Sequence, residues 1–303
     1  ITYLACNLGF SAAMLNPFTV GIAQSIAGIQ LYSGVEFRTL VWFVSTLVGC
    51  GFVMFYAMKI KKNPELSPMF EHDQVKREKL KSTESEHTEF TLRHKIIIAA
   101  LFTSIALVVY GVLKLEFWIP QIAAVFLGLG IISGLVGKLA PNEIAEAFTD
   151  GAKDMIGAAI MIGLAKSVMI IAQNANIIDT ILFNLANVVG QLPSLIASYI
   201  MFVIQMFINF FVSSGSGQAA LTMPILAPLG DLVGISRQLS VLIYQLGDGF
   251  SNAMFPTSGV LIACLGMAGV PYGKWLKWIL PLQAILFMTA IVFITIASLI
   301  GWA

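Results

Sequence analysis

Between two apolar arms the chain carries Ser213-Ser214-Gly215-Ser216-Gly217-Gln218, six residues without one large hydrophobic side chain. Small residues let a backbone reverse there without steric cost. A reversal inside an apolar environment strands backbone groups, and these are what could do chemistry. Ser216, Gly217 and Gln218 open the returning arm, so their free N–H groups and the positive end of that helix suit a carboxylate. The arm before ends near 211–214, where free carbonyls and the hydroxyls of Ser213 and Ser214 suit a small cation. The alternative is a serine–glycine surface that only packs helices.

A second candidate element is Asn252, Pro256, Thr257, Ser258 and Gly259. Proline has no N–H, so Pro256 releases a carbonyl about one turn earlier, near Asn252, that must find another donor. A kink satisfied by neighbouring hydroxyls would be ordinary in a single copy. Here the phrase Gly249-Phe250-Ser251-Asn252-Ala253-Met254 repeats Gly9-Phe10-Ser11-Ala12-Ala13-Met14 with five of six residues identical. Each copy runs into a proline, Pro17 or Pro256, with hydroxyls at Thr19 or at Thr257 and Ser258. Each then reaches Ala27-Gly28-Ile29 or Ala268-Gly269-Val270. Asn16 and Ser11 belong to the first copy. Paired, proline-broken apolar segments, one per half, are the sequence pattern of a transporter site at mid-membrane.

Two charges stand furthest from any expected membrane edge, Asp248 and Lys166, and such residues face a cavity and a partner. Asp248 lies two turns before Pro256 and suits a proton acceptor, a cation ligand or the counter-ion of a substrate amine. Lys166 suits a substrate carboxylate. A structural ion pair between the two is the competing reading. The expected substrate-binding set is therefore Ser214, Gly215, Ser216, Gly217, Gln218, Asn252, Thr257, Ser258, Asn16, Thr19 and Lys166. Ser213, Asp248, Ser251, Pro256 and Gly259 form the expected cation- or proton-coupling set. Asp179, Asp231 and Arg237 fall near expected interfaces and are read as solvated.

The elements that must hold these residues follow from composition. Hydrophobic residues make up 58% of 303 and charged residues 11%, a balance that suits lipid and not a water-soluble core and shell. Helices alone can satisfy their backbone within such stretches, so the fold class is an all-α polytopic membrane protein. Residues 1–34 hold the first broken helix, 35–59 a spanning helix, and 60–94 a polar linker. Residues 95–192 give further spans, at 95–113, 117–139 and 152–173, and a short interfacial helix at 176–190. Residues 193–235 read as a re-entrant hairpin, 236–273 as the second broken helix and 274–303 as a final span.

Nine of the 17 Lys and Arg lie between Lys59 and Lys95. With Lys138, Lys153, Lys274 and Lys277 on the same side, the linker is expected to be cytoplasmic, leaving Arg38, Lys114, Lys166 and Arg237 as exceptions. With the hairpin returning to its own side, the helix at 1–30 and that at 236–272 then run in opposite directions, as an inverted repeat requires.

Other functions find little support. Cys6, Cys50 and Cys264 sit far apart in apolar stretches, without a disulfide or metal-site spacing, and are read as packing residues. His72, His87 and His94 lie in or beside the linker with no second ligand near in sequence. That leaves a serine nucleophile at 216 or 258 without a histidine base, so an enzyme is not expected. There is no phosphate-binding glycine loop for ATP drive and no footprint for nucleic acid. The chain opens at Ile1 within an apolar segment and without a leader pattern, and is read as lacking an N-terminal part.

At these residues the sequence resembles the YfcC/C4-dicarboxylate anaerobic carrier family, within the ion transporter superfamily. The matching stretches are Leu15-Asn16-Pro17-Phe18 with Ala27-Gly28-Ile29, Gly151-Ala152-Lys153-Asp154-Met155, Gly247-Asp248-Gly249-Phe250 through Pro256-Thr257-Ser258-Gly259-Val260, and Pro271-Tyr272-Gly273-Lys274-Trp275. The resemblance implies a scaffold domain (95–192) and a mobile transport domain of two hairpins and two broken helices (1–34, 193–235, 236–273), moving as an elevator, as a homodimer. It also implies a first hairpin ahead of residue 1. Sodium-coupled relatives carry Ser-Asn-Thr at the hairpin tip; here that place reads Ser214-Gly215-Ser216.

The expected function is thus secondary transport of a small carboxylate-bearing metabolite, a C4-dicarboxylate or an amino acid, across a bacterial cytoplasmic membrane, by ion coupling or exchange. A basic amino acid antiporter of the arginine/ornithine type is the alternative, and a channel a more distant one. The expected partners are substrate and lipid, with no cofactor beyond Na+ or H+ as coupling ion.

Overall fold

A computed structural model of the chain describes residues 2–74, 90–115, 117, 119–177, 180, 184, 187 and 189–302. Every regular element among them is helical. The chain runs α1 (Thr2–Ser11), a π-helical turn (Pro17–Gly21), α2 (Ile22–Ala27), α3 (Val35–Lys62), a 3₁₀ turn (Pro64–Leu66), α4 (Leu92–Lys114), α5 (Ile119–Gly137), and α6 (Pro141–Asn174). It continues through α7 (Ser194–Phe211), α8 (Gly215–Leu232), α9 (Arg237–Ser251), α10 (Gly259–Ala268) and α11 (Tyr272–Leu299). Four helices, α3, α7, α11 and the Pro120–Gly137 stretch of α5, are long and apolar enough to cross a membrane. The molecule is a helical membrane protein.

Its sequence explains where helices start and stop. α3 begins after Gly34, in the left-handed region at φ 68°, and ends on Lys59, Lys61 and Lys62, cations at the negative end of the helix. α4 opens with a capping box in which Thr91 and His94 exchange hydrogen bonds, so His94 shapes a helix end. The span expected at 152–173 is the C-terminal part of one unbroken 34-residue helix that starts at Pro141, because nothing between 141 and 174 interrupts the backbone hydrogen bonds. Most of the expected interfacial helix at 176–190 lies outside the described residues. Cys6 and Cys50 are exposed and Cys264 half-buried, so the first two do not pack inside this chain as expected.

The chain forms two compact units. One comprises residues 72–156, in which α4 packs on α5; the other joins residues 1–71 to 157–303. At the centre of the second unit is α9, which packs against α1, α2, α7, α8 and α11. Every α9 residue from Gln238 to Ser251 is buried.

The two copies of the repeated phrase share a local structure. α1 ends at Ser11 and the chain is non-helical through Asn16; α9 ends at Ser251 and is non-helical through Ser258. A short helix follows each break, α2 or α10, and each ends on a glycine in the left-handed region, Gly28 at φ 69° and Gly269 at φ 63°. In each, the next amide reaches back to close the last turn, Ile29 N–H to the Gln24 carbonyl at 3.1 Å and Val270 N–H to the Leu265 carbonyl at 2.9 Å. This is the same Schellman closure twice. The first break starts earlier than Pro17 suggests. Pro17 sits at the first position of the π-helical turn, where its missing N–H costs nothing, and Asn16 caps that turn by accepting from Phe18 N–H at 2.9 Å.

Candidate functional site

Around residue 248 the sequence alternates Gly247-Asp248-Gly249, and the reason is steric. A Cβ on Gly247 would lie 2.6 Å from Gln205 Cβ and 3.2 Å from the Phe202 carbonyl of α7. A Cβ on Gly249 would lie 2.4 Å from Ser11 Cα of α1. Positions two apart on a helix point about 200° apart, so the glycines let α7 and α1 close on α9 from opposite sides. Asp248 projects between them, 1% exposed.

Neither Asp248 carboxylate oxygen has a hydrogen bond of normal geometry, although the Asn252 side chain one turn on is near enough to interact. The carboxylate faces the hairpin tip: a Cβ on Gly215 would sit 3.3 Å from Asp248 Oδ2, 2.7 Å from Thr19 Cγ2 and 2.9 Å from Phe10 Cζ. The first turn of α8 thus presents its positive end to the acid. Tyr244, one turn before Asp248, donates its hydroxyl to the Gly215 carbonyl at 2.5 Å. Side chains of α1, of the π-helical turn and of α9 therefore meet at Gly215. Thr19 Oγ1 is buried without a partner, so the unmatched polar atoms that Thr19 and Asp248 bring here are all oxygens; Thr257 Oγ1, in the second break, is likewise buried without a partner.

The remaining expected site residues divide by what their polar atoms already do. Ser213 donates to the Thr257 carbonyl at 2.6 Å and so ties tip to second break. Ser214 caps α8, accepting from Gly217 N–H at 3.4 Å. Ser216 is half-buried. Gln218 is fully buried and its amide donates to the Gln205 side chain at 2.8 Å and backbone at 2.9 Å; it joins the hairpin's two arms. Ser251 donates to the Gly247 carbonyl at 2.6 Å and accepts from Asn209 at 2.8 Å. Asn16 is occupied as a cap. Ser258 is buried, and Pro256 and Gly259 are half-buried beside it. Lys166 belongs to α6, but its side chain, and with it any pairing to Asp248, lies outside the described residues, as does Asp179. Asp231 and Arg237 are exposed, as expected, and form a surface ion pair at 2.8 Å, while Arg237 also donates to the Ala27 carbonyl at 2.6 Å, capping α2.

The carbonyls released at the second break are met by donors from elsewhere. Tyr3 donates to the Asn252 carbonyl at 2.9 Å, Trp275 Nε1 to Ala253 at 2.8 Å and Tyr272 to Met254 at 2.5 Å. Further back on α9, Asn209 reaches the Asp248 carbonyl at 2.9 Å, Asn7 reaches Gly249 at 3.1 Å and Gln283 reaches Phe250 at 2.7 Å. Sequence reasoning missed these donors. The signal was present, since amides such as Asn7, Gln205, Asn209 and Gln283 within apolar helices are costly unless bonded. A shallow cavity of about 320 Å³ opens beside the first break, lined by Pro17, Gly21, Ser25 and Tyr32 among others.

Arg38 was also missed, beyond its place among the charge exceptions. It is 1% exposed and donates to Gln245 Oε1 at 2.6 Å and Gln238 Oε1 at 3.4 Å, with the Trp302 ring 5.4 Å from its guanidinium carbon. Among the described residues it has no carboxylate partner.

Comparison with known proteins gives the following. A sequence model for the C4-dicarboxylate anaerobic carrier family matches residues 1–299. A protein of Escherichia coli (strain K12) named "Putative basic amino acid antiporter YfcC" is 41% identical over 313 aligned residues, covering 100% of this chain and 62% of that protein. An uncharacterized protein of Haemophilus influenzae is 33% identical over 288, covering 94% of this chain and 56% of its own length. The chain thus spans about three-fifths of the curated relatives it matches. No solved structure matches it.

Proposed function

Because the chain belongs to the C4-dicarboxylate anaerobic carrier family, we propose that the protein is a secondary transporter for a small carboxylate-bearing metabolite, and that Asp248 is where the driving ion enters the cycle. The family and the Escherichia coli relative are both named for transport, which supports carriage over catalysis. The observation that carries the reading is the Asp248 carboxylate, buried without a hydrogen bond of normal geometry where the tip, α1 and the π-helical turn close on α9. A charge in that position is expensive unless a proton or cation neutralises it. Occupancy by H+ or Na+ would cancel it, and loss of the ion would restore it, which gives an ion gradient a handle on the site.

The substrate then binds from the open side of the tip. Ser214 is exposed and Ser216 half-buried, whereas the half-buried Ser213 is engaged by the Thr257 carbonyl, and the α8 amides beside Ser214 and Ser216 suit a carboxylate. In this reading 193–235 is a re-entrant hairpin, the two broken elements are inverted copies, and 60–94 is cytoplasmic. The shared helix–break–Schellman pattern supports the repeat. An elevator movement in a homodimer is the accompanying proposal. One feature favours a second reading: the Escherichia coli relative is named for basic amino acids, and an acid at 248 also suits a substrate amine, which would make the protein an arginine/ornithine-type exchanger.

The test is uptake by the full-length protein in liposomes, using labelled succinate, arginine and ornithine, with and without sodium or a pH gradient and with trans substrate. Saturable uptake accelerated by a gradient or by trans substrate supports carriage. Unsaturable flux would identify a channel, and no flux of any class would reject the proposal.

A further inference from the structure

α3 and α11, two of the helices long enough to span, pack on one another, and the last turns of α3 lie beside the first turns of α11. Between them is a cavity of about 300 Å³ that the transport reading leaves unused. Val53, Ala57 and Ile60 line it from α3, at the spacing of one helix face. Met69 and Val270 close it from the segments that follow α3 and precede α11. The α3 face from Val53 to Ile60 is about 10 Å long, so the interior is a slot suited to an apolar chain.

The polar groups around this slot are cations and a free donor. Lys274 of α11 lines the cavity half-buried, Lys277 follows one turn on, and Lys59, Lys61 and Lys62 end α3. The wall segments 53–62, 64–69 and 270–278 carry one acid, Glu65, with Glu71 just beyond. Among the described residues none of these five lysines is in an ion pair. α11 also opens without an acid in its first turn and without a side-chain cap, which leaves the positive end of that helix unmatched. Trp278 carries the independent signal. Its ring lies 5.1 Å from those of Phe52 and Tyr56 and 5.3 Å from that of Trp275, which fixes it in the cavity wall. Its Nε1 is buried and donates to nothing, a costly state for an N–H group. A ring needed only for packing would be as well served by phenylalanine.

We propose that this cavity holds one anionic phospholipid of the surrounding bilayer, with the upper part of an acyl chain in the slot and the phosphate and ester oxygens accepting from Lys274 Nζ and Trp278 Nε1. Basic pockets between spanning helices take anionic head groups, and tryptophan belongs where an apolar body meets a polar acceptor. Apolar slot, unpaired cation and unmatched donor correspond to the tail, the charge and the acceptor of one molecule. A soluble anion would leave the slot empty, and a zwitterionic lipid would leave the lysine excess unmatched. The lipid bears on the second break, because Trp275, which also lines the cavity, donates to the Ala253 carbonyl there.

The test uses the full-length protein, purified in detergent, stripped of lipid and titrated with dioleoyl phosphatidylglycerol or dioleoyl phosphatidylcholine, with bound lipid counted by native mass spectrometry. Wild type, Lys274→Ala, Trp278→Phe and Lys61→Ala are compared, Lys61 being an exposed lysine off the cavity wall. One phosphatidylglycerol is expected to bind about tenfold or more tightly than phosphatidylcholine, weakened about tenfold by Lys274→Ala and about threefold by Trp278→Phe. Lys61→Ala should change it little. Trp278→Phe keeps an aromatic ring among the same three neighbours, so it decides the matter if Lys274→Ala does not fold. Equal binding of the two lipids, equal weakening by Lys61→Ala and Lys274→Ala, or glycerol phosphate binding as tightly as the lipid overturns the proposal. So does wild-type affinity for phosphatidylglycerol in folded Lys274→Ala, or in Trp278→Phe if that variant alone folds.

Discussion

Gly215 and Asp248 stand face to face: the hairpin tip comes so near the buried acid that a methyl group on residue 215 would lie 3.3 Å from Asp248 Oδ2. That methyl would also meet Thr19 Cγ2 at 2.7 Å and Phe10 Cζ at 2.9 Å, closer than carbon atoms approach. One glycine therefore sets how tightly tip and first break close over the acid. Gly215→Ala should fold, since side chains and not backbone stand in the way, with a stability loss of about 1–3 kcal/mol and a large fall in transport. Thermal unfolding alongside uptake checks this; wild-type transport would show that the contact is not part of the cycle.

Asp248→Asn keeps the shape and removes the charge. If the acid carries the driving ion, exchange of labelled for unlabelled solute should continue while acceleration by a proton or sodium gradient disappears. Counterflow with and without a gradient distinguishes the two. Intact gradient drive in the variant would make Asp248 structural.

Tyr3→Phe removes the donor to the Asn252 carbonyl while leaving the ring, which packs edge-on against Trp275 at 5.5 Å. The carbonyl belongs to the second break and would lose its partner, a loss of about 1–3 kcal/mol for a buried group. Reduced unfolding temperature with a lowered maximal rate is expected; a change in neither would mean that the break does not rely on this hydroxyl.

Gly249→Ala tests the approach of α1 to α9. Its Cβ would fall 2.4 Å from Ser11 Cα, and backbone cannot yield as a side-chain tip can. Severe loss of folded protein is expected, whereas Gly266→Ala on α10, with nothing within 4 Å, should express normally. Comparing the two yields by size-exclusion chromatography separates a helix-packing glycine from an incidental one.

Sequence alone determined the class of the molecule and the location of its interruptions. Lipid leaves a backbone few ways to satisfy itself, so apolar length identifies helices, and proline and glycine mark where they stop. The Gly9–Met14 and Gly249–Met254 copies identified two breaks, which fold as two helix–break–helix units with the same closing turn. Asp248, singled out for its depth, is buried on α9 facing Gly215 of the tip. Tertiary structure alone decided which polar groups remain open. Gln218 and Ser213 read from sequence as ligands, yet Gln205 and the Thr257 carbonyl engage them. The donors that satisfy the second break, Tyr3 and Trp275, lie 249 residues before and 22 after the carbonyls they meet. Arg38 reaches the first break through Gln245, 207 residues away. Local pattern shows that a hydrogen bond is missing, whereas what replaces it depends on which distant helix packs alongside, and packing is a property of the whole chain.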